Sequence, residues 1–122
     1  MINKKILIVD DDKIILNILE KCLTAAGYSV IKASNGIEGI KKAKSYLPDL
    51  IILDIMMPKM TGGDAANAIR QDPLTKNIPI IFLSSSIKKE EIISSKKGGV
   101  YLLSKPFTPK GLLERIRRIF IE

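Results

Sequence analysis

The stretch Lys5-Ile6-Leu7-Ile8-Val9-Asp10-Asp11-Asp12 decides the fold, because an unbroken apolar run stops at three consecutive acids and a helical period begins directly after them. A continuous Ile/Leu/Val run without alternation suits a central strand that is covered on both faces. From Lys13 to Ala26, the residues Ile15, Leu19, Cys22, Leu23 and Ala26 fall on one helical stripe, and Gly27 offers a left-handed stop. Strand, acidic turn and helix make one βα unit, and the pattern recurs along the chain.

Further strands are read at Ser29 to Lys32, Leu50 to Leu53, Ile80 to Leu83 and Val100 to Leu103. Ser29 to Lys32 is the more polar run and suits a sheet edge. Between these strands, Gly36 to Tyr46 reads as a second helix that buries Ile37, Ile40, Ala43 and Leu47 and halts before Pro48. Asp64 to Gln71 reads as a third, with Ala65, Ala68 and Ile69 inward, and Lys88 to Lys97 as a fourth carrying Ile92 and Ile93. The last runs from Pro109 to Phe120, capped by Thr108, with Leu112, Leu113, Ile116, Ile119 and Phe120 as its stripe. Short strands alternating with helices predict an α/β fold of (βα)5 type, a parallel sheet with helices on both faces. With 122 residues, 46% of them hydrophobic, the chain reads as a single domain over residues 1–122 with a real core, and not as a disordered segment.

Composition removes several chemistries. There is no histidine, which excludes Ser/His/Asp and Cys/His triads, imidazole zinc sites and a phosphohistidine carrier. The one cysteine, Cys22, has no internal disulfide partner and sits among Leu19 and Leu23, so it reads as core in a reducing, cytoplasmic setting. No apolar run approaches the roughly 20 residues a membrane span needs. The formal charge of +7 favours acidic partners without naming one, and no helix-turn-helix or aromatic stacking surface marks direct nucleic-acid binding.

In an open parallel sheet, ligands collect at the carboxyl ends of the strands. Those ends carry Asp10-Asp11-Asp12, Asp54, Ser84-Ser85-Ser86 and Ser104-Lys105-Pro106. Carboxylates crowded together need positive compensation, and Mg²⁺ suits them because it takes one or two carboxylates, keeps waters and accepts phosphate oxygens. A carboxylate can also attack phosphorus to give an acyl phosphate, with Lys105 and Ser84 neutralising or hydrogen-bonding the phosphoryl oxygens. Asp12 reads as the cap of the first helix in preference to a ligand.

The blocks Ile6-Leu-Ile-Val-Asp-Asp11, Leu53-Asp54-Ile-Met-Met-Pro58, Pro79-Ile-Ile-Phe-Leu-Ser84 and Lys105-Pro106-Phe107, in this order and spacing, resemble the receiver domain of two-component response regulators. The resemblance covers essentially the whole chain. It implies a flavodoxin-like sheet in the order 2-1-3-4-5. It further implies that Asp54 takes a phosphoryl group from a sensor histidine kinase or phosphotransfer protein. Asp11 and Asp54 would bind Mg²⁺ directly, Asp10 through water, and the main-chain carbonyl of Met56 would be a third protein ligand. Ser84 would turn toward the phosphoryl group and Lys105 would pair with it. An output partner or domain would read the face formed by the fourth helix, the fifth strand and the last helix, on a monomer or a phosphorylation-dependent dimer. The chain would be a signalling phosphoacceptor that catalyses only its own phosphorylation and dephosphorylation.

Departures from the pattern carry their own expectations. The family often has an aromatic residue where this chain has Leu102, and Tyr101, one place earlier, points to the other face of a strand. Ser85 replaces a smaller residue. Met56 and Ser86 fill two variable positions where neither side chain orients water strongly, which predicts a phosphoryl group of moderate to long life. Met56, Met57 and Met60 read either as a kinase-docking lip or as loop packing. Two other readings stay open: a haloacid-dehalogenase-type phosphatase using Asp10 and Asp12 as an Asp-x-Asp pair, and a phosphorylation-independent interaction module. Turnover of a phosphate ester dependent on Asp10 would favour the first, and retention of every acidic and lysine position argues against the second.

Overall fold

The computed structural model describes residues 3–55, 57, 62–84, 100–104 and 107–121. In chain order these form β1 (Lys5–Val9), α1 (Lys13–Ala25), β2 (Ser29–Ala33), α2 (Gly36–Tyr46), β3 (Leu50–Asp54), α3 (Gly62–Gln71), β4 (Ile80–Ser84), β5 (Val100–Ser104) and α4 (Pro109–Ile121). The helix expected at Lys88 to Lys97 lies outside the described residues, so α4 here is the last helix of the chain. All strand pairs are parallel, and the order is β2-β1-β3-β4-β5. The polar strand β2 takes an edge, as its composition demands.

Unbroken apolar strands bury residues on both faces, and two cores result. Leu7, Val9, Ile51, Leu53, Ile80 and Phe82 pack with Ala43 of α2 and with Ala65, Ala66 and Ile69 of α3. On the opposite face, Ile6, Ile8, Leu50, Ile52, Ile81 and Leu83 pack with Leu16, Leu19 and Leu23 of α1 and with Leu112, Ile116 and Ile119 of α4. Each fully buried Leu or Ile contributes about 1.5–3 kcal/mol relative to exposure, so both cores hold the sheet.

Helix ends follow from local chemistry. Asp12 caps α1, and Gly27, with φ 98°, turns the chain after it. Asn35 caps α2 by accepting from the Glu38 N–H at 2.8 Å, and Glu38 accepts from the Ser34 N–H at 2.6 Å. Thr108 caps α4 by accepting from the Gly111 N–H at 3.0 Å. Helix α3 starts at Gly62, two residues before the acid taken as its opening.

The inward faces of two helices differ from the periodic reading. In α2, Ala43 is buried and Ile40 half-buried as expected, but Ile37 and Leu47 are 46% and 47% exposed, and Gly36 and Gly39 are buried in their place. Gly39 lets the helix lie directly on β1, where a Cβ on it would meet Val9 Cγ2 at 3.0 Å. Leu47 ends α2 in the left-handed conformation, φ 47° and ψ 62°, beyond the last helical residue and off the buried stripe. In α1, Leu16 is buried while Ile15 and Cys22 are half-buried, and Ala26, at the C-cap, is exposed. Burial pushes the Cys22 thiol pKa up, which suits a packing role and disfavours a thiolate nucleophile. Met57 is buried in the core beneath α2 and α3, which makes it packing; Met56 and Met60 lie outside the described residues. Among the described residues no helix is long and apolar enough to cross a membrane.

Candidate functional site

Parallel strands end on the same side of the sheet, so the residues that close them share an edge. Just past β1, the Asp10 N–H donates to the Ala33 carbonyl at 3.1 Å, which carries the β1–β2 ladder one step into the acidic turn. Asp10 is fully buried, and its Oδ1 accepts from the Asp12 N–H at 3.0 Å. Asp12 has an extended backbone, and its Oδ1 accepts from the Ile14 N–H at 2.9 Å as the N-cap of α1. The partial positive charge of that helix N-terminus faces the turn that carries the acids.

Asp54 is the last residue of β3 and only 5% exposed. Its backbone stands opposite Leu83, and the next N–H, of Ile55, donates to the Leu83 carbonyl at 3.1 Å. One residue on, Ser84 closes β4 opposite Ser104 of β5 and is also buried. The structure brings Asp10, Asp11 and Asp54 together: one carboxylate oxygen from each lies within 4.8 Å of the others, with Asp10 and Asp54 buried and Asp11 exposed. Lys105, Met56, Ser85 and Ser86 lie outside the described residues.

This donor set fits a hard divalent cation. Two oxygens bound at 2.0–2.1 Å to one Mg²⁺ stand at most about 4.2 Å apart, so a trio spread within 4.8 Å needs only slight closure or one ligand acting through water. Asp10 is suited to the water-mediated place, because its Oδ1 already accepts the Asp12 N–H. The Asp-x-Asp phosphatase reading loses its second carboxylate, since Asp12 is spent on the helix cap.

The strand β5 separates its neighbours as alternation requires. Leu102 packs against the α2–α3 core, whereas Tyr101 packs against the α1–α4 core, and the Leu102 carbonyl accepts from Arg115 Nη1 at 3.0 Å. Two contributors to the site went unread in the sequence. The Ala33 carbonyl that fixes Asp10 is a main-chain group, which composition does not reveal. Gly39, which seats α2 against Val9 next to Asp10, did leave a signal, a Gly36-x-x-Gly39 spacing inside a helix.

Comparison with known proteins agrees with this geometry. The family model described as the response regulator receiver domain matches residues 6–117. Over 118 residues the chain is 38% identical to the alkaline phosphatase synthesis transcriptional regulatory protein PhoP of Bacillus subtilis, covering 96% of this chain and 48% of that protein. The chain thus spans about half the length of such curated relatives. The chemotaxis protein CheY4 of Vibrio cholerae superposes with a TM-score of 0.88 at 35% identity, over 97% of this chain and 99% of that one. The receiver domain of the sensor histidine kinase PA1611 of Pseudomonas aeruginosa, whose structure has a magnesium ion coordinated in the active-site cleft, superposes with a TM-score of 0.88 at 25% identity over 99% of this chain and 100% of that one. A family match over most of the chain, on a parallel sheet of order β2-β1-β3-β4-β5 whose strand-end acids cluster at one edge, has one meaning: the chain belongs to the response regulator receiver domains, the phosphoacceptors of two-component signalling.

Proposed function

We propose that Asp54 is the phosphoacceptor of this chain and that Asp10, Asp11 and Asp54 form its Mg²⁺ site, with the Met56 carbonyl as the remaining protein ligand. The observation that carries this reading is the position of Asp54, buried at the end of β3 with carboxylate oxygens of Asp10 and Asp11 within 4.8 Å. Bound Mg²⁺ would supply the positive charge that offsets the carboxylates and the incoming phosphoryl oxygens. Asp11 and Asp54 would hold it directly and Asp10 through water.

The chain's own residues then do the following. An Asp54 carboxylate oxygen forms the new bond to phosphorus while the phosphorus–nitrogen bond of a kinase phosphohistidine breaks, and the imidazole leaves with the electron pair and takes a proton from solvent. Ser84, at the end of the adjacent strand, hydrogen-bonds one phosphoryl oxygen, and Lys105 pairs with another. Most of the rate comes from placement and charge, because the transferred group needs little covalent help. Hydrolysis is slow, since neither Met56 nor Ser86 directs a water.

The partner on the input side is a histidine kinase or phosphotransfer protein, and the setting is cytoplasmic. On the output side, a partner reads the face built from the segment at 88–97, β5 and α4. The whole chain acts as one receiver unit, and its only catalysis is on itself.

Incubation with acetyl phosphate and Mg²⁺ tests the assignment by mass spectrometry. The parent should gain about 80 Da in a form labile to hydroxylamine, and Asp54→Asn should gain none. Equal labelling of Asp54→Asn would refute Asp54 as acceptor.

A further inference from the structure

Of the three clustered carboxylates, Asp11 alone is exposed, and it has no hydrogen bond or ion pair to any described residue. Its position is therefore set by the residues on either side of it. On one side, Asp10 is fixed by its N–H on the Ala33 carbonyl at 3.1 Å and by its Oδ1, which accepts the Asp12 N–H at 3.0 Å. On the other side, Asp12 is fixed by its Oδ1, which accepts the Ile14 N–H at 2.9 Å, and by its carbonyl, which accepts the Leu16 N–H at 3.1 Å. These bonds form a ladder that steps two residues at a time from the sheet, over Asp11, into α1. Asp11 is the residue skipped.

We infer that Asp12 is a positioning residue for the metal site: its side-chain cap on α1 holds the backbone that presents Asp11 to Asp10 and Asp54. This rests on the Mg²⁺ reading given above. The inference differs from a charge effect. Asp12 is itself exposed, and a carboxylate there adds a solvent-screened charge, whereas the cap fixes geometry. The two contributions separate chemically, since Asn and Asp cap helices about equally well and Ala does not cap.

The test is calorimetric titration of the metal-free full chain with Mg²⁺ alone, paired with thermal unfolding in EDTA. Loss of groups that orient metal ligands lowers affinity by about 10–100-fold, and here one of two fasteners is removed, so Asp12→Ala should weaken Mg²⁺ binding by about tenfold. Asp12→Asn should restore affinity to within about threefold of the parent, which leaves room for the lost charge. Equal weakening in Asn and Ala would assign the effect to charge and overturn the inference. A lower melting temperature in Asp12→Ala with unchanged Mg²⁺ affinity would also overturn it, by reducing Asp12 to a cap of α1 and nothing more. If the parent itself bound no Mg²⁺, the metal reading would fall and this inference with it. That failure is distinguishable, because the parent alone reveals it.

Discussion

Replacing Gly39 by Ala tests how tightly α2 is seated on the strand that delivers Asp10. An ideal Cβ at this position would stand 3.0 Å from Val9 Cγ2 and 3.1 Å from Val9 Cγ1. Optimal carbon–carbon contact is about 3.5–4.0 Å, so both methyls are overlapped by about half an ångström. Rotation of Val9 does not relieve this, since two branches are struck together and the side chain is stiff at χ1. Its backbone is paired to Ala33 on one side and Leu53 on the other. The helix has little freedom to lift either. Asn35 caps its start, Lys42 Nζ donates to the Lys32 carbonyl at 2.5 Å, and Lys5 Nζ donates to the Tyr46 carbonyl at its end at 2.8 Å.

Overpacking of this kind costs about 1–3 kcal/mol, against a gain of about 1 kcal/mol from replacing a helical Gly by Ala. The expected net is a loss of about 1 kcal/mol, or about 3–5 °C in melting temperature for a domain of this size. Urea unfolding of Gly39→Ala, Val9→Ala and the double variant measures it. With Val9 trimmed, the same Gly39→Ala change should stabilise by about 1 kcal/mol, a coupling of about 2 kcal/mol. A Gly39→Ala variant more stable than the parent, or one whose cost is the same in both backgrounds, would show that the glycine is not there for close approach.

Other consequences are equally direct. Arg70 Nη1 donates to the carbonyls of Lys76 and Ile78, both at 2.7 Å, while its Nε and Nη2 are buried without a partner among the described residues, and burial holds its pKa below the usual value. Arg70→Ala should therefore cost about 1–3 kcal/mol in urea unfolding by stranding two carbonyls, and Arg70→Lys should cost less because its ammonium can still reach them; equal costs would deny the carbonyls that role. The Ser34 N–H holds Glu38 below the ordinary carboxylate range against the opposing effect of burial, with lesser help from the Ser34 hydroxyl and Lys42. A depressed native pKa gives stability that is present above the unfolded value of about 4.3 and lost as pH falls through the folded one. Melting curves between about pH 5 and pH 3 should thus fall less steeply in Glu38→Gln than in the parent, and parallel curves would count against the Glu38 cap.

Much of this architecture is written in short-range patterns, and what is missing has a physical reason. Each strand start is legible, because apolar runs begin abruptly after polar turns. Strand ends are less so: β1 stops at Val9 as read, but β2 runs one residue further, to Ala33, and β3, β4 and β5 continue one residue past the apolar run, to Asp54, Ser84 and Ser104. Composition marks those residues as loop, yet the ladder still pairs them, which is how site residues acquire the precision of a sheet. In α2 the periodic reading holds at Ile40 and Ala43 and fails at Ile37 and Leu47, for the opposite reason. Periodicity assigns burial to the largest apolar residues, Ile37 and Leu47, but a helix that must lie close to β1 buries its glycines instead. The carboxylate trio was legible because three charges after two apolar runs have few places to go. The main-chain bonds that hold Asp10 and step past Asp11 were not, since backbone groups are the same in every sequence.

Among the described residues the two cores share no side chain, and the backbone of the sheet lies between them. Distant, unconnected substitutions add nearly independently, so drift among Ala65, Ala66 and Ile69 places no demand on Leu112, Ile116 and Ile119. Lineages that keep the acidic edge are thereby free to rewrite one flank of the molecule while the other stays fixed. A signalling module that must change listeners without forgetting its chemistry profits from such a partition, and here the dividing wall is the sheet that carries the acids.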